Sequence, residues 1–261
     1  MMNVHLVSNS LSESEDRELF NRIAEKYYQK DLLQASRIAR RHRLEQTINA
    51  ISTSPNISIL EVGCGAGFSV EYLKGKYSKY CGIDYSERLI EFAKNYHATP
   101  GIEFYATKVR DFKPEKMFDL IMLIGVLHHM KNIPDQMNHM INLLKPGGWL
   151  VSNEPHSGNR LFHLSRKLRK MFDPDYSSDQ REFAIPELYN IFKEAGLENI
   201  RIHPQGVFSS LFAEVIMPFQ GITALLSKGA CKIDKLLEKN PSTYLSRMTW
   251  NVVIGGSRQL M

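Results

Sequence analysis

The sequence of 261 residues predicts an α/β fold built on a doubly wound, mostly parallel sheet. Strand-forming runs and helical segments alternate five times through the middle of the chain. The runs are continuously apolar, which is typical of parallel strands covered by helices on both faces. Glycines at positions 63, 65 and 67 follow the first run directly, and a helix is predicted after them. Such a turn lies where open α/β sheets bind ligands.

Two helices are predicted before the repeating part. Residues 12 to 29 begin with a capping-box arrangement at Ser12 and carry an apolar stripe. Residues 33 to 51 contain a cluster of arginines: Arg37, Arg40, Arg41 and Arg43. We interpret this cluster as a solvated helix face, because long basic side chains cover apolar surface with their stems. A contact with an anionic partner is the alternative.

The repeating part predicts strands at 57–62, 79–83, 102–106, 118–124 and 149–153, with helices at 67–75, 86–96, 135–144 and 185–195. Two further strand candidates, ENIRIHP and MTWNVVIGG, are separated by a long helical stretch instead of an ordinary crossover. We therefore expect seven strands, the last of them antiparallel, with a helical insertion before it. All of residues 1–261 are predicted to form one domain.

Within that domain, residues 1–52 supply the N-terminal helices, 57–155 the ligand-binding core, and 156–184 and 207–241 the substrate-side insertions. The second insertion is rich in apolar residues and is interrupted by Pro218 and Gly221, which predicts two short helices. It is either a cap packed on the sheet or a hydrophobic lid over a substrate pocket.

The three cysteines, Cys64, Cys81 and Cys231, are widely spaced and indicate neither a disulfide framework nor a zinc cluster. The chain shows no secretory leader and no spanning apolar stretch, so we expect a cytoplasmic protein. The net charge of +5 is mild and does not by itself indicate a nucleic-acid partner.

The glycine turn predicts a ligand that approaches the main chain. Glycine permits positive φ, and the following helix N-terminus favours an anionic group. Asp84, which ends the second strand, can accept hydrogen bonds from both hydroxyls of a ribose. A nicotinamide dinucleotide is disfavoured, because its fingerprint requires glycine where this chain has Phe68. The sequence thus predicts a nucleoside-containing cofactor of another class.

The pattern Glu61-x-Gly63-x-Gly65-x-Gly67 resembles motif I of the class I S-adenosylmethionine-dependent methyltransferases. CGIDYSERLIEFAK resembles the second motif of that family, FDLIMLIGVLHHM its fourth-strand segment, and LKPGGWLVSNEP the following turn and strand. The most similar group is the small-molecule methyltransferases of ubiquinone and menaquinone biosynthesis. The resemblance implies a Rossmann-like sheet and S-adenosyl-L-methionine as cofactor.

The same resemblance implies a set of cofactor-binding residues: Tyr28, Glu61, Gly63, Cys64, Gly65, Gly67, Asp84, Tyr85, Val109 and Gly125. Tyr28 is equally explained by core packing, and Cys64 by a small thiol that fits a tight loop. Lys108 stands where the group commonly has an acid for the adenine amino group. Either Asp111 substitutes for it, or the main chain around Val109 contacts the adenine.

Methyl transfer from a sulfonium is an in-line displacement, so catalysis can depend on proximity, alignment and exclusion of water. His129 and His128 follow the fourth strand and are candidate bases for an acceptor hydroxyl or acidic carbon. Glu154 ends the fifth strand and could orient an imidazole or hold a cationic acceptor. These residues with His156 match no zinc pattern, so no metal is expected.

We expect a hydrophobic or amphiphilic small molecule as acceptor. Three alternatives are open: an RNA methyltransferase, a non-catalytic cofactor-binding module and a dinucleotide-dependent oxidoreductase. RNA would be favoured by the arginine cluster and by a second basic cluster: Arg160, Arg166, Lys167, Arg169 and Lys170. That second cluster could also touch a membrane surface to collect a lipid acceptor.

Overall fold

A computed structural model describes residues 13–159, 181–239 and 247–260. Its strands are β1 (Ile57–Val62), β2 (Tyr77–Asp84), β3 (Ile102–Ala106), β4 (Phe118–Ile124), β5 (Leu144–Pro155), β6 (Glu198–Gln205) and β7 (Asn251–Ser257). They form one seven-stranded sheet in the order β3-β2-β1-β4-β5-β7-β6. β1 to β5 pair in parallel, whereas β7 is antiparallel to both β5 and β6. The predicted mostly parallel sheet with a late antiparallel strand is confirmed.

The helices of the described ranges are α1 (Glu13–Leu32), α2 (Gln34–Asn49), α3 (Ser69–Tyr72), α4 (Glu87–His97), α5 (Ile133–Leu143), α6 (Ile185–Glu194), α7 (Ser209–Glu214) and α8 (Gln220–Leu237). None of them is both long and apolar enough to cross a membrane. The helix predicted over 67–75 is reduced to the single turn α3. Gly67 and Gly75 at its two ends have positive φ, which does not continue a right-handed helix.

Both faces of the sheet are apolar, as the continuous runs predict. Ile59 and Met122 point to one face, where they pack with residues of α2, α3 and α4. Leu60 and Ile121 point to the other face, against α5 and α6. All four are at most 1% exposed. Burying each such side chain stabilises the fold by about 1.5–3 kcal/mol, so the central strands form a rigid floor for the site.

The insertion between β6 and β7 contains the two predicted helices, α7 and α8. The break falls between Glu214 and Gln220, so Pro218 lies within it and Gly221 lies in the first turn of α8. The insertion packs on α2, where Ser227 donates a hydrogen bond to the carbonyl of Ala35 at 2.9 Å. The second basic cluster lies outside the described residues, as does Ser12 at the predicted start of α1.

Candidate functional site

A cavity of about 760 Å³ opens at the carboxyl ends of β1, β2, β4 and β5. The turn after β1 and the segment after β4 form its floor, and α1, α2 and α7 form its walls. Ligands of open α/β sheets bind at this edge. Of the sequence-predicted residues, the cavity lining includes Glu61, Gly63, Cys64, Gly65, Asp84, Tyr85, Gly125, His128 and His129.

The three glycines of the turn all have positive φ, but they differ in what surrounds them. A Cβ added at Gly63 would lie 2.4 Å from a methyl group of Val126, and one at Gly67 would lie 2.9 Å from the ring of Phe104. A Cβ at Gly65 would meet nothing within 4 Å. Gly63 and Gly67 are therefore required by the protein's own packing, and Gly65 leaves open space at the cavity.

Asp84 ties this turn to the end of β2. Its carboxylate accepts hydrogen bonds from the backbone N–H groups of Gly65 and Ser86, each at 2.9 Å. Burial raises the pKa of Asp84 to about 6, against the effect of these two hydrogen bonds. A buried carboxylate therefore faces the cavity beside the open position at Gly65.

Glu61 is a second buried carboxylate at the floor of the cavity. It accepts hydrogen bonds from the hydroxyl of Ser69 at 2.8 Å and from the hydroxyl of Tyr80. Burial nevertheless raises the pKa of Glu61 to about 7. The cofactor end of the cavity thus carries two acids whose charge is costly unless a ligand or a donor compensates it.

Asp16 of α1 joins two predicted site residues, and sequence reasoning missed it. Its Oδ2 accepts a hydrogen bond from the hydroxyl of Tyr85 at 2.6 Å and lies 3.2 Å from Nδ1 of His129. Burial alone would raise the pKa of Asp16, but the contacts with His129 and Tyr85 outweigh it and lower that pKa. In the sequence, Asp16 is indistinguishable from an ordinary acid in a first helical turn.

Glu154 orients the imidazole of His128 from behind the cavity. Its Oε2 lies 2.7 Å from Nδ1 of His128, and its Oε1 accepts hydrogen bonds from the N–H of Leu127 at 2.9 Å and the hydroxyl of Ser152 at 2.6 Å. Burial raises the pKa of Glu154, but the hydrogen bonds lead to a net lowering. Glu154 is fully buried and absent from the cavity lining, so it holds the turn after β4 in place.

Tyr28 is not brought to the cavity. Its ring stacks on Phe92, with centroids 4.6 Å apart, and on Tyr96, at 5.0 Å. Tyr27, one position earlier on α1, lines the cavity instead. Neighbouring helix positions point in directions about 100° apart, so the apolar stripe alone could not distinguish them.

The segment after β3 contains Lys108, Val109 and Asp111, the residues considered for contact with the adenine. The side chain of Val109 is buried in the core on the other face of the sheet. Lys108 forms an ion pair with Glu13 of α1 at 2.7 Å, and Asp111 lies beside Arg110 at 3.9 Å. Neither Val109 nor Asp111 is part of the cavity lining.

Cys64 is buried beside β2, and its sulfur would lie 2.8 Å from a Cβ added at Gly82. Burial raises the pKa of its thiol well above the ordinary value. A nucleophilic role requires a thiolate, so these surroundings favour packing as the reason for a small side chain here.

Two arginines of the predicted solvated helix face line the cavity instead. Arg41 is exposed, with its guanidinium over the ring of Tyr72, as the solvated-face interpretation predicts. That interpretation is wrong for Arg40 and Arg43, because both point from α2 toward α7. The insertion covers this face of α2, and the covering could not be deduced from helical periodicity.

Comparison with known proteins places this site in a family. A methyltransferase domain family matches residues 36–202. The ubiquinone biosynthesis O-methyltransferase of Rickettsia canadensis (strain McKiel) is 22% identical over 217 residues, which cover 79% of this chain and 85% of the relative. The demethylmenaquinone methyltransferase of Tropheryma whipplei (strain Twist) is 26% identical over 216 residues, with coverage of 76% and 90%.

A solved structure extends the likeness to the fold. A SAM-dependent methyltransferase of Thermotoga maritima aligns with a TM-score of 0.65 at 18% identity, covering 93% of this chain and 99% of that one. The predicted resemblance and the predicted cofactor are confirmed by these comparisons. The chain therefore belongs to the class I S-adenosylmethionine-dependent methyltransferases and is an enzyme of methyl transfer.

Proposed function

We propose that this enzyme methylates a small organic acceptor that enters between α1 and α7 and meets the cofactor beside His129. The observation that carries the proposal is that one continuous cavity joins the turn at Gly65 to both histidines and to the insertion. S-adenosylmethionine supplies an electrophilic methyl group on sulfur, which departs as a neutral thioether. The remaining tasks, which are binding, alignment and proton removal, belong to the residues of the cavity.

The cofactor end suits a nucleoside with a cationic tail. The open space at Gly65 allows a ligand to approach the main chain, and the carboxylate of Asp84 beside it can accept hydrogen bonds from ribose hydroxyls. The acid of Glu61 offers a negative counterpart to a cationic tail. We assign the remaining predicted cofactor contacts to Gly63, Cys64, Gly67, Tyr85 and Gly125, and the main chain around Val109 to the adenine.

We propose His129 as the base for an acceptor hydroxyl. Its Nδ1 is engaged by Asp16, and the ring lies edge-on to Phe20 with centroids 5.5 Å apart. A carboxylate on one ring nitrogen fixes the imidazole and leaves Nε2 to accept a proton. We propose His128 as a second candidate base. Its ring centroid lies 4.2 Å from that of His129, and its Nδ1 is oriented by Glu154.

The acceptor itself is proposed to be amphiphilic. Apolar side chains of α1, of α7 and of the break after α7 line the cavity: Leu19, Ile23, Leu211 and Ile216. The two relatives named above are a ubiquinone biosynthesis O-methyltransferase and a demethylmenaquinone methyltransferase, which supports a small-molecule acceptor. An RNA acceptor is less favoured, because two arginines of the first cluster face the cavity and not the surface.

Two substitutions separate the proposed roles. Asp84→Ala should weaken binding of S-adenosylmethionine at least about tenfold by calorimetry, since it removes a buried acceptor of charge-assisted hydrogen bonds. His129→Ala should keep that affinity and lower turnover about 10²-fold or more on a panel of catechols and hydroquinones. His139→Ala is the matched control, because its ring contacts the carbonyl of Phe112 at 3.1 Å, away from the cavity lining. Equal loss of affinity in both site variants would contradict these roles.

The proposal also covers organisation and location. We propose a single domain over residues 1–261 in the cytoplasm, with insertions at 156–184 and 207–241 on the acceptor side. Limited proteolysis that releases two separately folded fragments, or recovery of the native enzyme outside the cytoplasmic fraction, would contradict this. Contact of the second basic cluster with a membrane stays a prediction, because that segment lies outside the described residues.

A further inference from the structure

The insertion packs along α2 through a row of contacts that follows successive turns of both helices. The hydroxyl of Ser227 donates a hydrogen bond to the carbonyl of Ala35, and Sγ of Cys231 lies 3.9 Å from the carbonyl of Ile38. One turn further along, the row reaches His42 of α2 and the C-terminal end of α8. The contacts between the two helices thus change there from small neutral groups to titratable ones.

Three titratable side chains meet at the end of this row: His42, Asp234 and Glu238. We call them the interhelix cluster. The two acids are four positions apart, so they lie on the same side of α8 and the residue that follows it. One ring nitrogen of His42 and one carboxylate oxygen of each acid lie within 4.8 Å of one another. The cluster is inside the protein, because Asp234 is fully buried and the side chains of His42 and Glu238 are only 8% and 10% exposed.

Two atoms of the interhelix cluster are buried and make no hydrogen bond to any residue that the structure describes: Nε2 of His42 and Oε2 of Glu238. They face each other at 3.5 Å. Buried polar atoms are nearly always hydrogen-bonded, so two such atoms aimed at the same point indicate a ligand that joins them. Two protein ligands of one tetrahedral zinc ion are about 3.4 Å apart, given bond lengths of about 2.0–2.1 Å. The observed separation therefore suits a metal ion held by both atoms.

The two carboxylates are oriented by donors from the chain before α7. Oε1 of Glu238 accepts a hydrogen bond from the N–H of Gly206 at 2.9 Å. Asp234 accepts hydrogen bonds from the N–H and the hydroxyl of Ser209 and from the N–H of Phe208. A carboxylate has about four lone-pair sites, so each acid can still bind a metal ion. Hydrogen bonds of this kind commonly orient the carboxylates of metal sites.

The charge of the interhelix cluster is negative. Within residues 13–159, 181–239 and 247–260, no lysine or arginine forms an ion pair with Asp234 or Glu238. His42, even when protonated, offsets only one of the two negative charges. Cys231 beside the cluster stays a neutral thiol, because burial and the charge of Asp234 raise its pKa to about 12. Buried carboxylates are paired or bind metal ions, and a divalent cation would neutralise this pair.

We propose that His42, Asp234 and Glu238 bind one Zn²⁺ ion, which fastens the insertion to α2. An imidazole with two carboxylates suits a first-row transition metal, whereas Mg²⁺ and Ca²⁺ take oxygen ligands. Three protein ligands leave the fourth tetrahedral position to water. The site shares no residue with the histidines and Glu154 beside the cavity, and it does not depend on the proposed acceptor. Because Asp234 also holds the start of α7, the ion would stabilise a wall of the cavity.

A zinc titration of the full chain, freed of metal with EDTA, tests the proposal. Competition with a chromophoric chelator should show one Zn²⁺ per chain, bound with a dissociation constant below about 1 μM. His42→Gln and Glu238→Gln should each weaken this binding at least about tenfold, because each removes one ligand. Glu238→Gln keeps an oxygen for the N–H of Gly206. His129→Gln is the matched control, because its imidazole also lies beside a carboxylate, that of Asp16, and it should leave the zinc affinity unchanged.

Hydrogen exchange of the unchanged protein locates the ion without relying on the folding of a variant. Saturating Zn²⁺ should slow exchange most for the backbone amides around His42 and in the last two turns of α8, and it should raise Tm by several degrees.

Three results would overturn the proposal. They are absence of zinc binding, in which case a protonated His42 paired with Glu238 explains the contact, protection confined to the segment after β4, and a zinc affinity that falls in His129→Gln but not in His42→Gln or Glu238→Gln. None of these results bears on methyl transfer, so the proposed function is tested separately.

Discussion

Glu61 and Asp84 are buried acids that line the cavity, and burial raises the pKa of each. The pKa of Glu61 is about 7, against an ordinary value of 4.5, and that of Asp84 is about 6, against 3.8. A group whose pKa is raised by folding is bound to a proton more tightly in the folded than in the unfolded state. Its contribution to stability is therefore fully present below the unfolded pKa and lost as the pH rises through the folded pKa.

We predict that the free energy of unfolding of the ligand-free protein falls between about pH 4 and about pH 7. Glu61 alone should contribute on the order of 3 kcal/mol to this fall. Glu61→Gln keeps an acceptor for Ser69 and Tyr80 but removes the titration, so the fall should become shallower. Urea unfolding at several pH values measures the slope.

Glu103→Gln is the matched control, because Glu103 accepts a hydrogen bond from Tyr105 at 2.8 Å in an exposed position. The free energy of unfolding of the Glu103→Gln variant should fall with pH as steeply as that of the unchanged protein. Identical slopes for Glu61→Gln and the unchanged protein would show that burial of Glu61 is not the origin of the pH dependence.

The glycines of the turn after β1 serve two purposes, close packing within the protein and space for a ligand, which the sequence pattern alone does not distinguish. Gly63 and Gly67 are surrounded by Val126 and Phe104, whereas Gly65 borders open space. We predict that Gly63→Ala lowers the free energy of unfolding by several kcal/mol, since strain at positive φ adds to overpacking. Gly65→Ala should cost only about 1 kcal/mol but weaken binding of S-adenosylmethionine more than about tenfold, because its methyl group occupies ligand space.

Gly75→Ala calibrates the conformational part of this comparison. Gly75 has a φ of +84°, no atom lies within 4 Å of an added Cβ, and the residue is not part of the cavity lining. The free energy of unfolding of the Gly75→Ala variant should match that of the Gly65→Ala variant, while its affinity for S-adenosylmethionine should equal that of the unchanged protein. A Gly65→Ala variant that binds the cofactor normally would contradict the assignment of the open space.

The insertion is held together by a buried acid that caps one of its helices from the other. Asp234 of α8 accepts hydrogen bonds from the N–H groups of Phe208 and Ser209 and from the hydroxyl of Ser209, the last at 2.6 Å. We predict that Asp234→Ala costs about 1–3 kcal/mol, because buried donors at the start of α7 lose their acceptor. Acceptor binding should weaken more than cofactor binding if, as we propose, the acceptor enters beside α7.

Chemical unfolding and paired titrations measure the two effects. Asp135→Ala is a suitable control, because that exposed acid is paired with Asn132 at the start of α5. A loss of stability with cofactor and acceptor affinity reduced equally would argue against a local role of Asp234 in the insertion.

The elements also show which parts of this fold can be predicted from sequence. The strands were predictable because a continuous apolar run such as ISILEV depends only on its own composition. The predicted helix after the glycine turn was too long, because the positive φ at Gly75 cannot be recognised from the periodicity of apolar residues. Asp16 and Arg43 were missed as site residues, because their roles depend on contacts with β4, β5 and the insertion, far away in the chain.

For the whole molecule, the consequence is that α1 is both a structural helix and a wall of the site. Polar contacts attach it to the sheet: Asn21 bonds to Ser86 at 2.7 Å and to Glu87 at 2.9 Å, and Glu13 to Lys108 at 2.7 Å. Its apolar side chains Leu19, Phe20 and Tyr27 line the cavity. Packing of this helix is therefore incomplete until a ligand fills the space before it.

We predict that cofactor binding protects α1 more than any other described helix. S-adenosylhomocysteine at about a hundred times its dissociation constant stabilises the whole fold by about 2.7 kcal/mol through mass action. Beyond this global effect, the backbone amides of α1 should gain additional protection in hydrogen exchange, because local opening of α1 would now expose the ligand as well. α6 is the internal control, since its buried Leu188 and Phe192 pack on the opposite face of the sheet. If α1 and α6 gain the same protection on binding, α1 behaves as part of the rigid core and the wall interpretation is wrong.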